Sequence, residues 1–360
     1  MTTARIAGID LGDKWSSVCV LGGTPEAEVE EESRIRTTRE GLERWLGCRE
    51  PMVVVIEVGT HSRWVSEVIK EKGHAVLVAN ARHLRMIYAR DTKTDRGDAE
   101  ILARVGRVDP NLLHPVNHRS GENQKDLAIL KARNTLVECR TKLINHVRGV
   151  VKSFGERLPG CSGETFHQDK VREMIPEELK VALHPLVDQI GCINAMIRRY
   201  DEDLEFIVNQ RYPIAKRLQT VPGVGPVTSM AFVLTIDDPS RFEKSRDVGP
   251  FLGLVPRTDQ SGNQDPELRI TKAGDVLLRK LLVQCAHHIL GPFGGESDLR
   301  SWGLRLAERG AKRAKKQAVV AVARKLAVLL LAMWRSGEDF VPVRQERSKR
   351  PEPQLTAFAG

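Results

Sequence analysis

The sequence predicts an α/β domain followed by a longer, mostly α-helical region. Three observations carry that prediction. Short apolar strands alternate with amphipathic helices through the first 118 residues, the pattern of a sheet covered by helices. Beyond that point apolar residues recur at an alternating 4,3 spacing that suits long helices. Charge divides at the same place: residues 1–119 hold 18 Lys/Arg and 18 Asp/Glu, so the whole formal excess of +9 lies in residues 120–360.

The elements follow in order. Residues 4–22 predict the start of a β-hairpin, with Ile6, Ile9 and Leu11, a Gly-Asp turn, and a run from Ser16 to Leu21. Residues 40–48 predict a short helix. Residues 52–58 are a continuous apolar run closed by Glu57 and Val58, as in a strand covered on both faces. Residues 63–72 are amphipathic and Gly73 ends them. Residues 75–79 predict another strand and 95–105 a helix, with Pro110 and Pro115 marking the exit. The first domain is therefore placed at 1–118.

Residues 119–212 change character. Leu130, Val137, Ile144 and Val151 are seven apart, Gly155 to Gly163 interrupt the pattern, and a 4,3 spacing then runs from Leu179 to Ile207. A coiled coil between chains and a helical hairpin or bundle within one chain both satisfy this spacing. If the pairing is between chains, the protein oligomerises.

A third region spans 213–341. Val221-Pro-Gly223-Val-Gly225-Pro226 resembles a helix-hairpin-helix element. Its two glycines let a backbone approach a phosphate, and the next helix start offers amides to it. A tight turn between helices uses the same residues. Farther on, Ser261 lies in a polar loop bracketed by Arg257, Arg269 and Lys272, where a serine nucleophile would have cations around the attacked phosphate. Taken alone, Ser-Gly is a turn. Lys312, Arg313, Lys315 and Lys316 cluster at a helix start, suited to nucleic acid or to a solvated face. Residues 342–360 have the composition of a disordered tail.

The chemistry-bearing residues of the first domain are acids. Asp10 ends an apolar strand, Glu57 ends another, and Asp95 and Asp98 open a helix. Each alone is an ordinary turn or cap residue. Together, two strand carboxylates and a helical pair one turn apart suit Mg²⁺, which prefers oxygen ligands. Two such ions about 4 Å apart can clamp both oxygens of a phosphodiester exchange. Asp13 is a further acid nearby, and Asp10 is preferred because it directly follows the strand. The basic excess attracts phosphate backbones. Six scattered cysteines include no Cys-x-x-Cys pair, which argues against a zinc ribbon or disulfide framework and suits a reducing cytoplasm. The N-terminus lacks an apolar signal core. The most apolar stretch, 318–334, is interrupted by Arg324 and Lys325 and predicts a buried helix rather than a membrane span.

In combination, these motifs resemble the DEDD-type insertion-sequence transposases, relatives of the Piv DNA invertases. The resemblance rests on Gly-Ile-Asp10, Ile-Glu57, Lys-Thr-Asp95-x-x-Asp98-Ala, Val-Pro-Gly-Val-Gly-Pro, Leu-Gly-Leu-Val-Pro, Gln-Ser261-Gly and Ile-Thr-Lys-Ala-Gly. It covers residues 4–335. It implies a RuvC-like, RNase H-fold first domain whose Asp10, Glu57, Asp95 and Asp98 hold Mg²⁺. It also implies a coiled-coil dimerisation segment, and a C-terminal transposase domain whose Ser261 becomes linked to DNA. The family further implies guidance by a bridge RNA, assembly as homodimers or homotetramers, and work on donor and target DNA in the bacterial cytoplasm, at the nucleoid. Two other classes stay open at this point. One is a RuvC-like structure-specific nuclease that uses water. The other is an actin-like ATPase or sugar kinase, whose first phosphate loop resembles Gly8-Ile-Asp10-Leu-Gly12. The second phosphate loop and adenosine loop of that superfamily are not evident, nor is a P-loop pattern.

Overall fold

The computed structural model describes residues 5–23, 28–80, 94–167, 169–261, 268–310 and 312–343. The chain divides into two compact units, Met1–Arg119 and Ser120–Gly360.

The first unit is a mixed five-stranded sheet. Strands β1 (Ile6–Asp10), β2 (Trp15–Leu21) and β3 (Val29–Arg36) form an antiparallel meander, while β4 (Val53–Glu57) and β5 (Ala75–Ala79) run parallel to β1. The order across the sheet is β3-β2-β1-β4-β5. Helices cover both faces, which is why β4 has no polar alternation. Helices α1 (Arg39–Leu46) and α2 (Ser62–Glu71) bury Leu42, Leu46, Val65 and Ile69 against Ala7, Ile9, Val54 and Ile56. Helix α3 (Asp95–Val108) buries Ala99, Leu102 and Ala103 against the other face, with Ile6, Cys19, Leu21 and Val55. Strand β3 is a correction to the sequence prediction. It is a charged edge strand, Val-Glu-Glu-Glu-Ser-Arg-Ile-Arg, with Ile35 its one buried residue. It therefore lacks the apolar alternation by which strands are recognised. Such charge protects an edge from pairing with another chain.

The second unit is helical. Helices α4 (Gly121–Ser153) and α5 (Glu177–Arg211) run antiparallel within one chain. Three polar contacts fix that direction: Arg211 to Asp126 at 2.7 Å, Arg133 to Asp201 at 3.0 Å, and Arg140 to Asn194 at 2.7 Å. Buried Asn194 also donates to the carbonyls of Gly163 and Glu164, so the connecting loop folds back along the hairpin. At the open end, buried Asp126 accepts from Arg211 and lies 2.8 Å from the Tyr212 hydroxyl. Burial, reinforced by Asp126, pushes the Tyr212 phenol well above its ordinary value.

The remaining helices of six or more residues are α6 (Pro213–Leu218), α7 (Pro226–Ile236), α8 (Val276–Leu290), α9 (Asp298–Glu308) and α10 (Lys312–Ser336). They enclose one core. The longest of them, α10, is long and apolar enough to cross a membrane by length and composition. Here its Val322, Ala323, Leu326, Leu330 and Leu331 are buried in the core it shares with α8 and α9, as the sequence predicted.

Candidate functional site

Strand register places two of the carboxylates, and the approach of α3 places the other two. Side chains alternate across a strand, so Ile6, Gly8 and Asp10 share one face of β1, and Val53, Val55 and Glu57 share one face of β4. Ile6 pairs with Val53 and Gly8 with Val55. Ile6 and Val55 both pack under α3, so Asp10 and Glu57 lie on the α3 face, at the C-terminal ends of their strands. Gly8 lets α3 approach closely: a Cβ there would lie 2.0 Å from the Ala99 carbonyl oxygen. Near the other end of α3, a Cβ on Gly106 would meet Val55 and Ile6. The helix therefore starts at the Asp10 end and runs back toward Ile6. This brings Asp95 and Asp98, in its first turn, to the same end and face as Asp10 and Glu57.

The start of that helix is fixed locally. The Thr94 side chain accepts from Gly97 N at 3.1 Å, an N-cap worth about 1 kcal/mol. Asp95 and Asp98 sit where the helix dipole favours negative charge. Arg96 pairs with Glu32 of β3. Beneath this end, Cys19 is buried, and burial pushes its thiol up, with Glu100 adding to the effect. Cys19 is thus held as a neutral apolar residue. The donors at this end are carboxylates, a set that fits Mg²⁺. Among the described residues no three His, Cys, Asp or Glu side chains already stand as a metal cage. Asp10, Glu57 and Asp98 each have a partner of their own.

The second unit positions the serine segment. Gly253 and Gly274 adopt positive φ, and a Cβ on either would lie 2.1 Å from backbone of the other's loop. Only glycine meets both demands. The two loops consequently pair: Pro256 bridges Ile270, Arg257 N donates to Arg269 O at 3.0 Å, and Thr271 N donates to Val255 O at 2.9 Å. Arg257 and Arg269 are thereby neighbours across a short ribbon, both exposed, as is Lys272. Ser261 follows on the exposed continuation of this ribbon, at the edge of the described residues. Arg279, which sequence reading missed, anchors the pair by donating to the carbonyls of Leu252 and Ala273. No motif marks it, because it acts through backbone carbonyls.

Gly223 has φ +87°, and a Cβ there would meet the His288 ring at 2.8 Å. Gly225 caps α7 with open space around it. The turn between α6 and α7 thus has one glycine for packing and one accessible to an approaching group. In α10, Arg313, Lys315 and Lys316 are exposed, and Lys312 opens the helix. Arg313 has a partner.

Comparison with known proteins agrees with this layout. Residues 7–155 match the model of the DEDD transposases of the IS110 type, whose catalytic domain is RNase H-like. Residues 215–296 match the model of the IS116/IS110/IS902 transposase family. A transposase for insertion sequence element IS1111A from Coxiella burnetii is 30% identical, over 82% of this chain and 79% of its own. A probable family 20 transposase from Pseudomonas aeruginosa is 29% identical, over 79% and 84%. A pilin gene-inverting protein from Moraxella bovis is 25% identical, over 80% and 81%. With its carboxylate-bearing sheet in the first matched segment and part of its helical second unit in the other, the chain belongs to the IS116/IS110/IS902 family of insertion-sequence transposases.

Proposed function

We propose that this transposase cuts and rejoins DNA with Ser261 as nucleophile, assisted by Mg²⁺ held between Asp10, Glu57, Asp95 and Asp98. The observation that supports it best is the arrival of two strand carboxylates and one helix start at a single end and face of the sheet. Bound Mg²⁺ would neutralise charge on the reacting phosphate.

The covalent steps balance without an external energy source. Ser261 Oγ attacks phosphorus, and the bond from phosphorus to one DNA oxygen breaks. That oxygen leaves as a hydroxyl, taking up a proton in exchange for the one serine gives up. After strands exchange, a DNA hydroxyl attacks the serine-linked phosphate, the Oγ–P bond breaks, and Ser261 regains its proton. One phosphodiester replaces another. Arg257, Arg269 and Lys272 are the cations assigned to the transferred phosphate. Gly223 and Gly225, with the cluster Lys312, Arg313, Lys315 and Lys316, are assigned to DNA or RNA backbone.

Relatives named for inverting a pilin gene support a reaction that rejoins what it cuts. The basic excess of residues 120–360 supports binding of a bridge RNA, with sequence chosen mainly by base pairing. The α4–α5 hairpin is assigned to subunit pairing in a dimer or tetramer, separate from the serine domain at 213–341.

The test uses purified protein, Mg²⁺, RNA transcribed from the flanks of the gene and matching labelled DNA. Wild type is expected to give a protein-linked DNA band on a denaturing gel, absent in Ser261→Ala and in Asp10→Ala. Cleavage with no linked band, insensitive to Ser261→Ala, would leave a water-using nuclease and overturn the serine assignment.

A further inference from the structure

Trp15 opens β2 beside the carboxylate end, and it is 45% exposed. The other four tryptophans of the chain are at least partly covered. The guanidinium groups of Arg34 and Arg36 lie 5.7 and 5.2 Å from its ring centroid. Both arginines are exposed, and neither has an acidic partner among the described residues. Edge-strand protection accounts for charge on β3. It does not account for a large aromatic side chain left in water between two cations.

Register ties this group to the carboxylates. Asp10 pairs with Ser17, and Ser17 pairs with Arg34. The three side chains therefore share a face. Trp15 pairs with Arg36 one row farther toward the open end, on that same face. By sheet spacing, Trp15 stands roughly 8 Å from Asp10, one strand across and two residues along.

We propose that Trp15, Arg34 and Arg36 form a single-stranded DNA platform that leads a strand to the carboxylate end. The Trp15 ring stacks on one unpaired base, and the two guanidinium groups contact the flanking phosphates. An exposed aromatic interleaved with cations is the recurring solution for single strands, because every base has a face to stack and every nucleotide a charge to meet. The platform rests on the reading of that end as the cutting site, since it assigns the strand a destination there.

The test is fluorescence anisotropy of the full chain with fluorescein-labelled oligo(dT) in EDTA, where no cutting occurs. Trp15→Ala is expected to weaken binding by about 5- to 150-fold, the range for loss of one base–aromatic stack. Trp15→Phe should retain most of the affinity, and neither variant should change the melting temperature. The Arg34→Gln, Arg36→Gln double variant should lower the salt slope of binding by about 1.4, two contacts at roughly 0.7 each. Wild-type affinity in Trp15→Ala overturns the platform, as does a loss seen only with oligo(rU). A cutting assay on Asp10→Asn separates the two readings. If Asp10→Asn cannot cut while Trp15→Ala binds normally, the cutting site stands and the platform falls. If Asp10→Asn cuts normally, both fall.

Discussion

Gly8→Ala would place one methyl group where sheet and helix are in backbone contact. The new Cβ would lie 2.0 Å from the Ala99 carbonyl oxygen and 2.7 Å from Ala103 N, whereas ordinary contact begins at 3.4 Å. Both neighbours are helix backbone, so no side chain can rotate away. Restoring contact distance requires α3 to retreat by about 1.4 Å, and it carries Asp95 and Asp98 with it. Overpacking of this kind costs about 1–3 kcal/mol. A displacement on the order of 1 Å at a catalytic group lowers rate by about 10²-fold. The assay pairs thermal melting with the rate of covalent DNA linkage. Two controls bracket it. A methyl at Gly106 meets the side-chain ends of Val55 and Ile6, at 2.6 and 3.1 Å, which can shift. A methyl at Gly97 meets Thr94 Oγ alone, at 3.1 Å. Gly8→Ala should lose activity by about two orders of magnitude, Gly106→Ala much less, and Gly97→Ala least. Gly8→Ala protein with wild-type rate and melting temperature would refute the claim that backbone contact at Gly8 sets the position of the helical aspartates.

Two further predictions concern stability. Tyr212→Phe removes the hydroxyl 2.8 Å from buried Asp126 and should cost about 1–3 kcal/mol, seen as a lower melting temperature for the helical unit; an unchanged midpoint would contradict it. Burial of His118 lowers its folded-state pKa below the ordinary 6.5, with Arg63 and Lys70 adding to the effect and Ser62 and Glu67 opposing it. Between those two values the unfolded chain binds more protons, so stability rises with pH. The first unit should therefore lose stability as pH falls from above 6.5, and His118→Gln should flatten that dependence; parallel melting profiles for the two proteins would rule the assignment out.

The parts of this fold legible in the sequence are those that burial writes into it. Strands β4 and β5 and helices α2 and α3 were found because each presents a continuous or periodic apolar set. The alternating 4,3 spacing from Leu179 to Ile207 identified a long helix, but the same spacing serves a partner in the same chain or in another. Contacts such as Arg133–Asp201 assign α4 as its neighbour within the chain. Strand β3 was invisible because edge position and solvation remove the apolar signal. The grouping of Asp10, Glu57, Asp95 and Asp98 was expected from their order along the chain, but the geometry that brings Asp10, Glu57 and α3 to one end could not be read there. It depends on strand register and on close approach at Gly8, which stands two residues before Asp10 but does not by itself reveal which helix it meets. Arg279 and Thr94 were missed for a related reason: each satisfies backbone groups, and no side-chain pattern advertises that work.

The hairpin also sets a length. Helices of 33 and 35 residues, at about 1.5 Å per residue, make an arm about 50 Å long. Duplex DNA rises about 3.4 Å per base pair, so the arm matches roughly fifteen base pairs of duplex. It is braced at its root by Asp126 with Arg211, and part-way along by Asn194 with the returning loop. The two braces hold the helices in one register, and shortening α4 and α5 by matched turns would shorten the hairpin by about 5.4 Å per turn.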